Sequence, residues 1–262
     1  MPTHQPIHAH THTHLTILTG ASRGMGLAMA QQLLRPGQQL LCLARQINPE
    51  LTAQAAANNV PLEQWAQDLS DTQTAAQRLR TWLQSQSASH FASATLINNA
   101  GVIPPIAPLS ASAPADLAQA LRVGLEAPLL LCAAFLGATE HWQIPRKVLN
   151  ISSGLGRRAM ASQAPYCAAK AGMDHFTRCM ALDEATKTHG AKVCSLAPGV
   201  IDTDMQTQLR SADAARFPDA PNFAHLKTAG QLTSATDAAA RVLAWLERAD
   251  FGDDPVADVR SA

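Results

Sequence analysis

The chain has 262 residues, 47% of them hydrophobic and 15% charged, and its 20 Lys+Arg balance its 20 Asp+Glu. The length suits one α/β domain or two small ones, with an ample core. A balanced charge supplies no long-range field toward nucleic acid or an anionic membrane, so neither is an expected partner.

The first fourteen residues carry His8, His10, His12 and His14 in alternation and lack the apolar run of a secretion signal. Alternating imidazoles can catch a divalent metal. With no acidic or thiol partner nearby, a flexible tail (residues 1–14) is the plainer reading, and no metal site is expected. "HLTILTG" (14–20) then reads as a short apolar strand and "GMGLAMAQQLLRPG" (24–37) as a helix stopped by Pro36-Gly37. "QQLLCLAR" is a second strand, "NPELTAQAAANN" a helix, "VPLEQWAQDLS" a third strand and "TQTAAQRLRTWLQSQ" an amphipathic helix. "ATLINNAG" (94–101) is a strand entering a turn, and residues 114–142 read as one long helix. Its segment "APLLLCAAFLGA" is too short to span a bilayer and reads as buried. "RKVLNISSG" (146–154) is a strand, 164–190 a second long helix and "AKVCSLAPG" (191–199) a strand. Val200 to about Lys227 looks irregular, 234–249 is the last helix, and "PVADV" is a short final strand.

Strands and helices in strict alternation give a doubly wound parallel sheet covered on both faces, in one α/β domain over residues 15–262. The five cysteines, Cys42, Cys132, Cys167, Cys179 and Cys194, form no CxxC and several sit in apolar runs. They read as reduced buried thiols, which implies a cytoplasmic protein.

"TGASRGMG" (Thr19–Gly26) follows a strand and opens a helix. Gly20 permits a tight turn. Gly24 and Gly26 let the backbone approach a pyrophosphate, whose charge suits the helix N-terminus. Further along, Tyr166 is the chain's only tyrosine, and Lys170 lies one helical turn on, on the same face. A phenol titrates near 10. A neighbouring ammonium is expected to lower that value and make Tyr166 a usable general acid. Ser153 and Ser152 end the strand "NISSG" and face opposite sides of it.

Five motifs in order carry a resemblance: Gly-x-x-x-Gly-x-Gly in the first loop, "NNAG" closing at Gly101, "NISSG", Tyr-x-x-x-Lys and "APGVIDT". The chain resembles the short-chain dehydrogenase/reductases along nearly its whole length. The resemblance implies a Rossmann fold and the catalytic group Ser153, Tyr166 and Lys170. It also implies a cofactor site made of Gly20, Ser22, Arg23, Gly24, Met25 and Gly26, with Asp68 and Leu69 at the adenine. Asn98, Ala100 and Gly101 would line the ribose, Tyr166 and Lys170 would touch the cofactor, Pro198, Gly199 and Val200 would contact it from the Pro-Gly turn, and Thr203 would hold the nicotinamide carboxamide. Arg23 and Arg45 could flank a 2′-phosphate, and the second strand lacks the acid that selects NAD, so NADP(H) is the expected cofactor. The C-terminal third resembles a narrower group, sepiapterin reductase and the bacterial benzil-type diketone reductases. That likeness implies that Asp258 is the acid that anchors a pterin; Ser153, Leu155 and Met205 are the other candidate substrate residues.

The resemblance thus implies an NADPH-dependent carbonyl reductase acting on a small-molecule carbonyl. The two long helices would join copies into a homodimer or homotetramer. The stretch from Val200, with Met205, Leu209, Phe217 and Phe223, either closes as a lid or packs itself down. One position departs from the pattern: Gly124 stands where the family usually has an asparagine that holds a water of the lysine's proton relay. A glycine there leaves room for another water, or signals a catalytically weak NADP-binding sensor or scaffold.

Overall fold

The structure, a computed structural model, describes residues 12–261. The tail expected over residues 1–14 falls mostly outside the described residues, His8 and His10 included. His14 belongs to the first strand, and its Nδ1 shares a 2.8 Å hydrogen bond with Ser93 Oγ.

In chain order the elements are β1 (Thr13–Thr19), α1 (Gly24–Leu33), β2 (Gln38–Ala44), α2 (Pro49–Ala57), β3 (Leu62–Ala66), α3 (Thr72–Gln84), β4 (Phe91–Asn98), α4 (Pro114–Leu121) and α5 (Ala127–Ala138). There follow β5 (Arg146–Ile151), α6 (Ala164–Ala185), β6 (Lys192–Ala197), α7 (Asp204–Arg210), α8 (Ala220–Thr228), α9 (Ala235–Leu246) and β7 (Val256–Asp258). The strands form one parallel sheet in the order β3-β2-β1-β4-β5-β6-β7. A parallel pair cannot be closed by a tight turn, so each connection crosses over the sheet, most of them as helices.

The period-two alternation of the strands sorts side chains onto two faces. Leu18, Leu40 and Cys42 point into a core with Met29 of α1, Leu51 of α2 and Val242 of α9. Ile17, Leu41 and Leu43 point the other way, onto Leu79 of α3 and Leu131 and Phe135 of α5. Both cores are apolar and closed to solvent, which explains why the strands read as continuous apolar runs.

Two elements differ from expectation. The single helix expected over 114–142 is α4 and α5 joined by a π-helical turn at Arg122–Glu126. Pro128 has no N–H to give the carbonyl four residues back, which is that of Gly124, so the ladder widens there. This run, Pro114–Ala138, is also long and apolar enough to cross a bilayer, contrary to the reading of its second half alone. In the fold its inner residues, among them Leu131, Ala134 and Phe135, are packed against the sheet and α3. The stretch from Val200 to Lys227 is not irregular but holds α7 and α8. Pro221 in the first turn of α8 supplies a pre-set φ, and Asp204 in the first turn of α7 suits the helix dipole.

Candidate active site

The strand order reverses between β1 and β4, and a crevice opens beyond the C-terminal ends of the strands at that switch. It is a cavity of about 870 Å³ reaching from the glycine loop to α7 and α8. Gly20, Ser22, Arg23, Gly24, Met25 and Gly26 form one end of it. Arg45, Asp68 and Leu69 line the same end, and Ala100 and Gly101 the middle. Pro198, Gly199, Val200 and Thr203 enter from the end of β6.

The loop fits a dinucleotide's pyrophosphate on its own geometry. Gly20 has φ +73° and Gly24 φ +56°, both in the left-handed region that glycine tolerates. A Cβ on Gly26 would lie 2.1 Å from the Gly20 carbonyl oxygen and 2.5 Å from Asn99 Nδ2. No side chain caps the first turn of α1, so its N–H groups remain free for an anion. Gly26→Ala is therefore expected to weaken binding of a nicotinamide dinucleotide at least about tenfold and to destabilise the fold by about 1–3 kcal/mol, since backbone blocks the new methyl. Fluorescence titration and a thermal melt check both.

The guanidinium of Arg23 is not idle: it pairs with Asp204 at the start of α7 at 2.8 Å, both side chains exposed. Asp68 is held below the ordinary carboxylate range by the Ser70 N–H, against some burial, with Arg45 adding a smaller pull.

Two expected residues lie elsewhere. Asn98, the last residue of β4, points into the core, where its Nδ2 donates to Asn150 Oδ1 at 2.9 Å. Strand alternation gives the cavity to Asn99 instead, whose Nδ2 donates to the Thr19 carbonyl at 3.0 Å and so ties β4 to the glycine loop. Asp258 is absent from the cavity wall because Arg260 covers it: Nε and Nη2 of Arg260 bind the two carboxylate oxygens at 2.8 and 2.7 Å, and Arg260 itself lines the cavity.

Ser153, Tyr166 and Lys170 meet at the cavity's centre. Ser153 ends the extension of β5 and caps a short turn, its Oγ accepting from the Leu155 N–H at 3.2 Å. Tyr166 and Lys170 stand on α6, with the ammonium 5.8 Å from the ring centroid. Lys170 is only 5% exposed, and its Nζ donates to the Ile151 carbonyl at 2.6 Å. Burial pushes the ammonium down to about 8, with Asp174 pulling the other way. Burial also raises the Tyr166 phenol, a hydrogen bond with Ser153 pulls it partly back, and Cys167 adds a small push upward. The lowering expected from Lys170 is not among these influences; desolvation dominates and favours the neutral form of both groups.

Ser152 is turned away, as alternation requires: its Oγ donates to Asp174 Oδ1 at 2.5 Å, and Ser195 Oγ donates to the same oxygen at 2.7 Å. At Gly124 an added Cβ would meet Ala169 Cβ at 3.0 Å, so a larger residue there would press on the side chain next to Lys170.

The far end of the cavity is more apolar. Leu155 and Met205 line it as expected, with Ile103, Val123, Met160, Leu209 and Phe223. Of the four apolar residues in the α7–α8 stretch, Phe217 is fully buried and stacks on Phe223 at 5.7 Å, so it holds the stretch down rather than facing the cavity. Sequence reasoning missed Asn99, Arg158, Gln163, Gln206 and Arg260. Asn99 was legible in the "NNAG" alternation; the others carry no local signal.

Known proteins agree with this arrangement. The family model described as short chain dehydrogenase matches residues 14–214. The chain is 33% identical over 235 residues to "Benzil reductase ((S)-benzoin forming)" of Bacillus cereus, covering 90% of this chain and 94% of that one. It is 31% identical over 248 residues to sepiapterin reductase of Meriones unguiculatus, covering 90% and 92%. Among solved structures, a metagenomic short-chain oxidoreductase in complex with NADP superposes with a TM-score of 0.68 at 26% identity, covering 95% of this chain and 96% of that one. A nucleotide-shaped crevice, a serine, tyrosine and lysine at its centre and a family match across most of the chain converge: this protein belongs to the short-chain dehydrogenases, oxidoreductases that work with a nicotinamide cofactor.

Proposed function

We propose that the protein is an NADPH-dependent carbonyl reductase in which Tyr166 is the proton donor. The observation that carries this reading is the meeting of Ser153, Tyr166 and Lys170 in the same cavity as the glycine loop. A bound reduced nicotinamide supplies the hydride to the carbonyl carbon. Ser153 Oγ–H binds the carbonyl oxygen and orients it. Tyr166 Oη–H gives that oxygen its proton as negative charge develops, which turns the ketone into an alcohol. Lys170 sets its ammonium beneath the tyrosine ring and offers its remaining donors to the cofactor's ribose. The relatives' names favour an aromatic or vicinal diketone, or a pteridine side-chain ketone.

Arg45, exposed at the end of β2, is the group we assign to the 2′-phosphate, with Arg23 released from Asp204 to join it. Arg45→Glu is expected to lower the NADPH-to-NADH ratio of kcat/KM at least about tenfold, since a charge-assisted bond is lost and a repulsion added. A ratio that stays put removes Arg45 from this role. We place self-association on the outer face of α4–α6, where Leu121, Leu129 and Leu182 are exposed, in a homodimer or homotetramer. The five unpaired thiols fit a reducing, cytoplasmic setting.

The direct test is consumption of NADPH and of NADH with benzil and with sepiapterin. Turnover that favours NADPH is expected. Tight NADPH binding without turnover on any ketone would support a sensor or scaffold, the reading that Gly124 favours.

A further inference from the structure

Two glutamines stand out in the wall of the reaction cavity. Gln163 is 1% exposed and Gln206 3% exposed, and both line the cavity. Gln163 immediately precedes α6, one turn before Tyr166, while Gln206 lies on α7. Neither Nε2 nor Oε1 of Gln163 has a hydrogen-bond partner in the protein, and neither does Nε2 of Gln206. Gln206 Oε1 receives only a long 3.4 Å contact from Arg210.

The distribution matters more than the number. Among the described residues the other buried side-chain atoms without partners belong to Asn98, Trp142, Arg146 and Asp174, none of which lines the cavity. Each of those has apolar packing or a bonded sister atom around it. Gln163 has neither amide atom satisfied. A buried amide left in this state costs about 1–3 kcal/mol, so a fold that keeps two in one wall has a use for them. The backbone is also built to hold Gln163 there. The preceding residue, Ser162, has φ +58°, a left-handed conformation strained for a non-glycine, and its Oγ donates to the Arg216 carbonyl at 2.6 Å, fastening the α6 N-terminus to the α7–α8 stretch.

We infer that Gln163 and Gln206 are specificity-determining residues that read a second oxygen on the carbon next to the reacting carbonyl. The unmatched groups common to both side chains are N–H donors, and they seek an acceptor. Much of the neighbouring lining, Ile103, Leu155, Met160, Leu209 and Phe223 among it, is apolar, so a hydrocarbon ketone would leave the donors unpaired, and a vicinal dicarbonyl or α-oxygenated ketone would satisfy them. A site built this way discriminates through the penalty of leaving its own polar groups unpaired. The inference rests on the carbonyl-reductase reading above and deepens it.

The test compares benzil with deoxybenzoin, the same skeleton with one carbonyl replaced by a methylene. Wild type, Gln163→Leu and Gln206→Leu are assayed with NADPH in the full-length protein. Each substitution is expected to lower kcat/KM for benzil about 5–100-fold, while that for deoxybenzoin stays within about twofold or rises. Because an unpaired buried amide is removed, neither variant is expected to melt below wild type, whereas a merely structural glutamine would lower the melting temperature. NADPH affinity, read by fluorescence titration, is expected to be unchanged. Reduction of benzil with a benzil-to-deoxybenzoin ratio unchanged in both variants would overturn this inference alone. No turnover of either ketone by wild type, with either nicotinamide, would overturn the reductase reading and this one with it.

Discussion

Tyr166→Phe is expected to lower kcat for ketone reduction by about 10²–10⁴-fold while leaving NADPH affinity within about twofold. The substitution removes one oxygen and keeps the ring that packs beside Lys170. The direction of the phenol's shift sharpens the expectation. Burial raises it above the ordinary value, so at neutral pH the group is protonated and carries the proton a reductase must give. Reduction at the tyrosine should therefore hold steady from pH 6 to 8. Oxidation of the corresponding alcohol needs the phenolate and should climb as pH rises. Steady-state rates in both directions across that range check the claim. A phenylalanine variant retaining more than about a tenth of wild-type kcat would remove Tyr166 as the donor.

Lys170→Met is expected to abolish turnover and yet to raise the melting temperature at pH 7. The ordinary lysine value is 10.5, and burial brings this one to about 8. Between those values the unfolded chain binds more protons than the native one, so native stability rises with pH across that window. Below about 8 both states are charged and the full cost of the buried ammonium is present. The gap corresponds to on the order of 3 kcal/mol, of which loss of the bond to the Ile151 carbonyl returns about 1 kcal/mol. The variant's advantage should shrink steadily toward pH 10.5. Paired melts at pH 7 and pH 10 decide it: a variant less stable at pH 7, or a gap that does not narrow, would mean that the ammonium is not penalised.

What the sequence disclosed follows from where its signals are local. The strand of "HLTILTG", the glycine loop and the Tyr166–Lys170 spacing each depend on residues within one turn or one strand of each other, and the structure has all of them in place. The π-helical turn at Gly124 depends on Pro128, four residues away, inside a pattern that otherwise reads as one helix. α7 and α8 span 7 and 9 residues, too short for a helical period to rise above a polar background. Asn98 and Asn99 differ only in which face of β4 they take, and that face is set by pairing with β5 at Asn150. Asp258 lies in the expected last strand, but Arg260, two positions on, turns back and binds its carboxylate, a contact that no strand pattern reveals. Gln163 had no sequence signal at all: a glutamine before a helix is ordinary, and its unsatisfied amide exists only once the fold buries it in the cavity wall.

The order of the sheet also governs how this chain must come together in time. β1 lies between β2 and β4, and Leu15 of β1 sits beside Ala94 of β4, with three helices and two strands of chain between them. No strand meets its neighbour through a hairpin, so no early local pairing rewards the entropy lost in closing these long loops. Folding of such a topology is slow, and the apolar strands that later form the two cores stand open meanwhile. During synthesis the segment carrying the glycine loop emerges well before the partner strand that secures it. The nascent chain therefore spends that interval as a sticky, incomplete sheet, and its yield in a cell should be governed by chaperone supply and temperature more than by the stability of the finished protein.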